Sequence, residues 1–200
     1  MKFEKITVGF LEVNCYVIPS EKDNCVYIID PGASPAEIAE CAKSFGFNDY
    51  RILLTHAHID HISGVEELLE ALPVTTFLLH EDDLPLYNSP KNELPPLMPP
   101  LQNPTQPVHN LESCAVRVIH TPGHTRGGVC YYFEDDDAVF TGDTLFAGSI
   151  GRTDFPGGSM DDLLSSIRNK LFELSDSTEV FPGHGPFSTI GGEKNSNPFL

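Results

Sequence analysis

Residues 55–61 read Thr55-His56-Ala57-His58-Ile59-Asp60-His61, so three imidazoles and one carboxylate stand within six residues. The apolar run from Arg51 to Leu54 precedes them and predicts a short β-strand, and a helical pattern of apolar residues begins at Val65 and lasts until Pro73. The stretch is therefore predicted to be a loop between a strand and a helix. Imidazole nitrogen and carboxylate oxygen are donors that Zn²⁺, Fe and Mn²⁺ accept. Such a density of these side chains indicates a metal site.

Three further segments repeat this pattern, each at the end of a predicted strand and next to a glycine, which allows the backbone to turn sharply. They are Thr121-Pro122-Gly123-His124-Thr125, Thr141-Gly142-Asp143-Thr144 and Pro182-Gly183-His184-Gly185. None of the five cysteines lies in these segments, which disfavours a closed structural zinc site. The other histidines have no such setting: we expect His80 and His109 to be structural or surface residues, and His120 could lie behind the ligands.

The remaining elements alternate between strands and helices. Strands are predicted at 15–18, 25–29, 116–119, 129–133, 139–141 and 179–181. A helix is predicted from about Pro35 to Phe45, with Ser34 as N-cap, Glu37 as capping-box acid and Gly46 ending it. Another helix should bury one face, formed by Met160, Leu163, Leu164, Ile167 and Leu171. At 200 residues the chain is predicted to form a single domain, 1–200.

Residues 82–110 contain eight prolines, a density that a sheet or a long helix would not tolerate. The segment is predicted to be an ordered flap or a loose loop. Long loops within compact domains are more often functional than not, and this one is a candidate border of the substrate entrance near the metal site.

Composition excludes several classes of partner. The formal net charge is −17, from 29 acidic and 12 basic side chains, so the protein's field repels nucleic acid and anionic membrane surfaces. The N-terminal segment lacks a signal peptide's apolar stretch, and the five scattered cysteines read as reduced thiols, with Cys15, Cys25 and Cys130 as core residues. These features predict a cytoplasmic protein. Its oligomeric state stays open.

The ordered set Asp30, His56-x-His58-x-Asp60-His61, His124, Asp143 and His184 resembles the five motifs of the metallo-β-lactamase superfamily over nearly the whole chain. This resemblance implies an α/β (α+β) fold, a four-layer αββα sandwich. It assigns His56, His58 and His124 to one metal ion, Asp60, His61 and His184 to a second, and Asp143 to a bridge between them. Asp30 would lie behind the ligands and orient residues 55–61, called the histidine loop below.

Within the superfamily, the segments Asn14-Cys15-Tyr16, Asp30-Pro31-Gly32 and Gly151-Arg152-Thr153-Asp154-Phe155 are similar to those of short, single-domain glyoxalase II-like hydrolases. That similarity implies hydrolysis of an acyl thioester such as hydroxyacylglutathione by a metal-bridging hydroxide, with Asp60 and Asp143 as the catalytic carboxylates. Zinc is the expected metal, and iron or manganese would suit the same ligands. Arg152 and Asp154 are predicted to form a buried salt bridge that fixes a loop near the metals.

Other activities remain as alternatives. The first is an iron-dependent persulfide dioxygenase, a relative that shares several of these motifs but uses a single iron. A β-lactamase or lactonase is disfavoured because the lactamases generally lack a bridging carboxylate at the position of Asp143. A non-enzymatic metal-binding protein is disfavoured because the set of ligands is complete.

Overall fold

A computed structural model of the chain describes residues 1–108 and 116–200. It forms two compact units, one of residues 2–111 and the other of residues 112–200 together with Met1. The predictions for His109 and Cys114, and for the last two residues of the proline-rich segment, lie outside the described residues. That the chain is one domain stays a prediction.

The first unit contains a five-stranded sheet in the order β1-β2-β3-β4-β5. Strands β1, β2 and β3 are antiparallel, whereas β3, β4 and β5 are parallel. The carboxyl ends of β3 and β4 therefore meet at one edge of the sheet, where Asp30 and the histidine loop follow them. The strands are β1 (Glu4–Val8), β2 (Val13–Ser20), β3 (Cys25–Ile29), β4 (Tyr50–Leu53) and β5 (Val74–Leu78).

The helices of this unit are short and cover the sheet with their apolar residues. They are α1 (Pro35–Ser44), α2 (Ile59–Ile62), α3 (Val65–Ala71) and α4 (Leu84–Tyr87). Ile38 and Ala42 of α1 and Leu68 of α3 are buried in one core with Ile28 and Ile52 of the sheet. This core holds the strand ends that carry Asp30 and the histidine loop.

The second unit contains a five-stranded sheet in the order β12-β11-β8-β7-β6 and a small hairpin of β9 and β10. Because β6 and β8 are both antiparallel to β7, and β11 is parallel to β8, three strands point the same way. His124, Asp143 and His184 follow the ends of these three strands. The strands are β6 (Arg117–His120), β7 (Val129–Phe133), β8 (Ala138–Gly142), β9 (Leu145–Phe146), β10 (Ser149–Ile150), β11 (Glu179–Pro182) and β12 (Ser188–Thr189).

Helices α5 (Met160–Asn169) and α6 (Ile190–Ser196) complete the second unit. Leu163 and Ile167 of α5 are buried in one core with Val139 and Val180 of the sheet, as the helical pattern predicted, and Leu164 is partly buried against it. Leu171 is buried in the same core, but α5 ends at Asn169, so this residue lies in a following 3₁₀ turn and not in the predicted helix. The prediction was wrong for Met160, which is 45% exposed: it shares the helical face of Leu163 and Ile167, but it is the first residue of α5 and is not part of the buried core.

Two local predictions need correction. Helix α1 begins at Pro35, but Ser34 has φ 53° and makes no side-chain cap, so the predicted capping is wrong. For the proline-rich segment, the loose-loop alternative is wrong and the ordered one agrees with the structure: the segment contains α4, and the Leu94 amide donates to the Met98 carbonyl.

The three cysteines predicted to be core residues are buried. Cys15, Cys25 and Cys130 are fully buried, and the four cysteines in the described part of the chain are free thiols. Burial raises the pKa of the Cys15 thiol well above its ordinary value, because the charged thiolate would lose its hydration. Among the described residues, no helix combines the length and the apolar character needed to cross a bilayer.

Candidate metal centre

Asp30 is the centre of a buried hydrogen-bond network in the first unit. Its Oδ1 accepts from the Thr55 amide at 2.7 Å, and its Oδ2 accepts from the Thr55 hydroxyl at 2.6 Å. The same Oδ2 lies 2.9 Å from Nδ1 of His61. Asp30 can present both oxygens to the next strand end because it has a left-handed φ of 50° at the end of β3.

This network determines which ring nitrogen of His56 and of His61 carries the proton. Since the Thr55 hydroxyl donates to Asp30, its oxygen is left to accept from Nδ1 of His56, at 3.0 Å. Nδ1 of His61 donates to the Asp30 carboxylate in the same way. Both rings therefore carry their proton on Nδ1, and each offers a lone pair on Nε2, the form that a metal ion requires.

The candidate ligand side chains of the histidine loop lie close together. The His56 ring centroid lies 4.9 Å from that of His58 and 4.2 Å from that of His61. Nε2 of His61 lies 3.8 Å from Oδ2 of Asp60. Asp30, His56 and His61 also bring possible ligand atoms within 4.8 Å of one another. We interpret this last trio as a hydrogen-bonded support, because three donors already occupy the Asp30 carboxylate.

In the second unit, one carboxylate oxygen faces two imidazoles. Oδ2 of Asp143 lies 3.5 Å from Nε2 of His124 and 3.6 Å from Nε2 of His184. Both distances exceed the usual ~2.7–3.2 Å of an N–H···O hydrogen bond. Two donor atoms that share a tetrahedral zinc ion at about 2.0–2.2 Å stand roughly 3.4 Å apart. The three side chains therefore fit divalent metal ions placed between oxygen and nitrogen.

Backbone packing positions His124 and Asp143. Nδ1 of His124 donates to the carbonyl of Arg152 at 2.7 Å, which leaves Nε2 of this ring as the metal-facing nitrogen. The neighbouring Gly151 passes so close that a Cβ there would lie 1.9 Å from the Asp143 carbonyl oxygen and 3.3 Å from Cβ of His124. Only glycine allows this approach.

The predicted salt bridge between Arg152 and Asp154 exists, but the prediction that it is buried is wrong. The guanidinium donates twice to the carboxylate, at 2.7 and 2.6 Å, and both side chains are more than half exposed. The guanidinium also lies 3.9 Å from the centroid of the Phe155 ring. Arg152 lowers the pKa of Asp154 to about 2. The group of this loop that contacts a candidate ligand is the main-chain carbonyl of Arg152, which lies 2.7 Å from Nδ1 of His124.

Sequence reasoning missed two residues that bind the histidine loop. Asp83 accepts from the Ala57 amide at 2.9 Å, and Asn92 donates to the Ala57 carbonyl at 2.7 Å. Both side chains are buried, although they come from the proline-rich segment. A polar residue within a proline-rich stretch carries no sequence signal of such a contact.

Two histidines in the described part of the chain lie outside the proposed ligand set, and both make hydrogen bonds. Nδ1 of His80 accepts from the Asp82 amide at 3.2 Å and caps a short 3₁₀ turn. Nε2 of His120 lies 2.9 Å from the carbonyl of Arg126.

Comparison with known proteins identifies the family. The family model described as the metallo-beta-lactamase superfamily matches residues 8–184. A Haemophilus influenzae protein named hydroxyacylglutathione hydrolase GloC is 36% identical, with coverage of 100% of this chain and 98% of that protein. A probable metallo-hydrolase of Bacillus subtilis, YqgX, is 35% identical, with the same coverage of both chains.

Two solved structures are similar to the chain over nearly its whole length. BLEG-1, described as a B3 metallo-beta-lactamase, has a TM-score of 0.88 at 35% identity, covering 100% of this chain and 99% of its own. TTHA1623 in a di-iron-bound form has a TM-score of 0.86 at 37% identity, covering 98% and 100%. The predicted metallo-β-lactamase fold is confirmed, and the relatives' names indicate a metallo-hydrolase. The chain belongs to the metallo-β-lactamase superfamily.

Proposed function

We propose that this protein is a binuclear metal-dependent hydrolase whose substrates are thioesters such as hydroxyacylglutathione. The observation that carries the proposal is the position of Asp143, whose Oδ2 faces the Nε2 atoms of His124 and His184 at nearly equal distances. A carboxylate that bridges two metal ions would have to lie near the other ligands of both ions. The family's motifs assign His124 and His184 to different ions, so Asp143 is the expected bridge.

The proposed ligands divide by the ion that they would bind. His56, His58 and His124 would hold one ion, Asp60, His61 and His184 the other, and Asp143 would contact both. Three of the imidazoles support this assignment, because hydrogen bonds at Nδ1 leave Nε2 of His56, His61 and His124 for a metal. Zinc is the expected metal, and the di-iron form of TTHA1623 makes iron the alternative to test.

When bound, two divalent cations supply an activated water molecule and polarise the carbonyl group of the substrate. The chain's own residues keep the proposed ligands in place: Asp30 accepts from Nδ1 of His61 and, through the Thr55 hydroxyl, supports Nδ1 of His56, and Arg152 holds His124 through its carbonyl. A thiolate departs readily, so a thioester requires no strong general acid from the protein. A small acyl thioester is therefore the proposed substrate, and we propose a cytoplasmic location, which the thiols of the described cysteines support.

The first experiment measures metal content per chain together with thiol release from S-lactoylglutathione. About two metal ions per chain with thiol release would support the proposal. One iron per chain, no thiol release, and oxygen uptake with glutathione persulfide would replace it with the dioxygenase alternative.

Substitutions test the ligand roles. Asp143→Ala should abolish thiol release and reduce the metal content, whereas Asp161→Ala, which removes an exposed aspartate at the start of α5, should retain both. Equal behaviour of the two variants would contradict the assignment. His184→Ala should lower the metal content from about two to about one, because it removes a ligand of one ion only.

β-Lactam hydrolysis is a second candidate, favoured by the similarity to BLEG-1. The same preparation should therefore be assayed with a chromogenic cephalosporin. A kcat/KM for the cephalosporin above that for S-lactoylglutathione would make the β-lactam the better substrate class and overturn the thioester proposal.

A further inference from the structure

The peptide groups on either side of His58 are both bound by one side chain. Nδ2 of Asn92 donates to the Ala57 carbonyl at 2.7 Å, and Oδ1 of Asn92 accepts from the Ile59 amide at 3.1 Å. Asn92 is only 4% exposed. Its planar amide thus pairs with the histidine loop as a peptide group of a neighbouring strand would, and fixes the backbone at His58.

This pairing occurs where the backbone changes from extended to helical. His58 has φ −64° and ψ 144°, and helix α2 begins at the next residue. The His58 side chain makes no cap, so the first amide of α2, that of Ile59, is bound by Asn92 instead. Because α2 carries Asp60 and His61, the angle at His58 sets how these two side chains stand relative to His56.

Asp83 holds the preceding peptide group. Its Oδ2 accepts from the Ala57 amide at 2.9 Å, so Ala57 is bound on its amide by Asp83 and on its carbonyl by Asn92. Asp83 is 1% exposed and ends a 3₁₀ turn just before α4. An alanine with both peptide groups held by buried side chains has little freedom to move.

The segment that supplies these two side chains is itself tied to the first unit. The Tyr87 hydroxyl donates to the Thr105 carbonyl at 2.9 Å. The carboxylate of Glu66, on α3, accepts from the amide and the hydroxyl of Thr105 at 2.7 and 2.8 Å. The proline-rich segment therefore provides fixed points from which Asn92 and Asp83 reach the histidine loop.

We propose that Asn92 is a positioning residue for the metal ligands, with Asp83 as its partner: together they hold the backbone of residues 57–59 so that His56, His58, Asp60 and His61 are directed before metal binds. The inference rests on the proposed metal-binding role of these four side chains. The proline-rich segment would then set the geometry of the proposed ligands, in addition to any contact that it makes with the substrate.

The experiment compares Asn92→Ala and Asn92→Asp with the matched control Asn88→Ala. Asn88 belongs to the same segment, but its hydrogen bonds to Leu84 and Gln106 are exposed and do not reach the histidine loop. Asn92→Asp keeps the side chain's size and can accept from Ile59, but a carboxylate cannot donate to the Ala57 carbonyl. The Zn²⁺ affinity of metal-depleted protein and the amide exchange rates of residues 57–61 are measured for each.

Both Asn92 variants should lose Zn²⁺ affinity by about 10–100-fold and exchange faster at the Ile59 amide. The Co²⁺ absorption spectrum should change as well, because the ligand geometry changes, and kcat should fall more than KM rises. Asn88→Ala should match the wild type in all four measurements. Wild-type affinity and exchange in both Asn92 variants would overturn the inference.

Two results separate this inference from the proposed function. If wild-type protein fails to bind Zn²⁺ and Fe²⁺, the metal site itself is wrong, whatever Asn92 does. If Asn92→Ala does not fold, the pair Asp83→Asn and Asp83→Ala decides: the first keeps an oxygen to accept from Ala57 and should stay within about 3-fold of wild-type affinity, while the second should fall by about 10-fold or more. Equal affinities for this pair would also overturn the inference.

Discussion

The proposed ligands of the first unit and those of the second are held by different means. His56 and His61 are held by buried side chains, through Thr55 and Asp30. His124 and Asp143 are held by the main chain, through the Arg152 carbonyl and the close approach of Gly151. The side chain of His61 is 0% exposed, whereas that of His184 is 27% exposed.

The supports of the two units therefore depend on two kinds of precision. A hydrogen-bonded support is sensitive to the loss of a donor or an acceptor, because buried partners are then left unsatisfied. A support built by close backbone contact is sensitive to the addition of atoms, because the packing has no space for them. Substitutions that remove a hydrogen-bonding group should therefore disturb the support in the first unit most. Substitutions that add atoms should disturb the support in the second unit most.

Among Asp30→Ala, Gly151→Ala, Thr55→Val and Asp154→Asn, we expect the first to have the largest effect on stability. It deprives two donors of Thr55 and one of His61 of their acceptor, at about 1–3 kcal/mol for each buried group left unsatisfied. We expect the free energy of unfolding of metal-free protein to fall by about 3 kcal/mol or more. Chemical denaturation of the metal-free protein measures this change.

Asp30→Asn serves as the control, because asparagine also tolerates a positive φ and keeps one accepting oxygen. Its loss of stability should lie clearly below that of the alanine variant. If the two variants were equally stable, the backbone of the loop, and not the carboxylate, would be the true support of the histidines.

Gly151→Ala should disturb the second unit by addition. The new Cβ would overlap the Asp143 carbonyl oxygen, so the backbone must shift, at about 1–3 kcal/mol. We expect a loss of metal affinity from movement of Asp143 and His124. Isothermal titration with Zn²⁺ measures this affinity. Gly148→Ala is the matched control, since a Cβ there meets nothing within 4 Å; its left-handed φ of 67° allows some loss of stability but no loss of affinity.

Thr55→Val should have a smaller effect than either. Valine has nearly the shape of threonine but removes the hydroxyl that links Nδ1 of His56 to Asp30. The Asp30 carboxylate keeps the Thr55 amide and His61 as donors, so we expect a loss of about 1–2 kcal/mol in stability. Thr55→Ser restores the hydroxyl and should recover most of the stability in the same denaturation assay.

The same contrast explains what sequence can predict. The dense motif of residues 55–61 and the glycine-flanked segments of the second unit lie at strand ends, as predicted, because apolar runs and glycines are local signals. Asn92 lies 35 residues from Ala57 and follows no periodic pattern, so its contact depends on how the proline-rich segment folds. Whether a charged pair is buried is equally a tertiary property, which is why the exposure of Arg152 and Asp154 was predicted wrongly.

Asp154→Asn should have the smallest effect and tests whether the second unit depends on its main chain alone. Arg152 lowers the pKa of Asp154 from its ordinary 3.8 to about 2, so the ion pair stabilises the fold above pH 4 and this contribution is lost as the pH falls toward 2. Exposed pairs of this kind contribute little, because solvent screens them. Since His124 contacts the carbonyl of Arg152 and not its side chain, Asp154→Asn should keep wild-type Zn²⁺ affinity at pH 7 in the same titration. A 10-fold loss would instead show that the ion pair holds the loop carbonyl in place, and the contrast between the two units would then disappear.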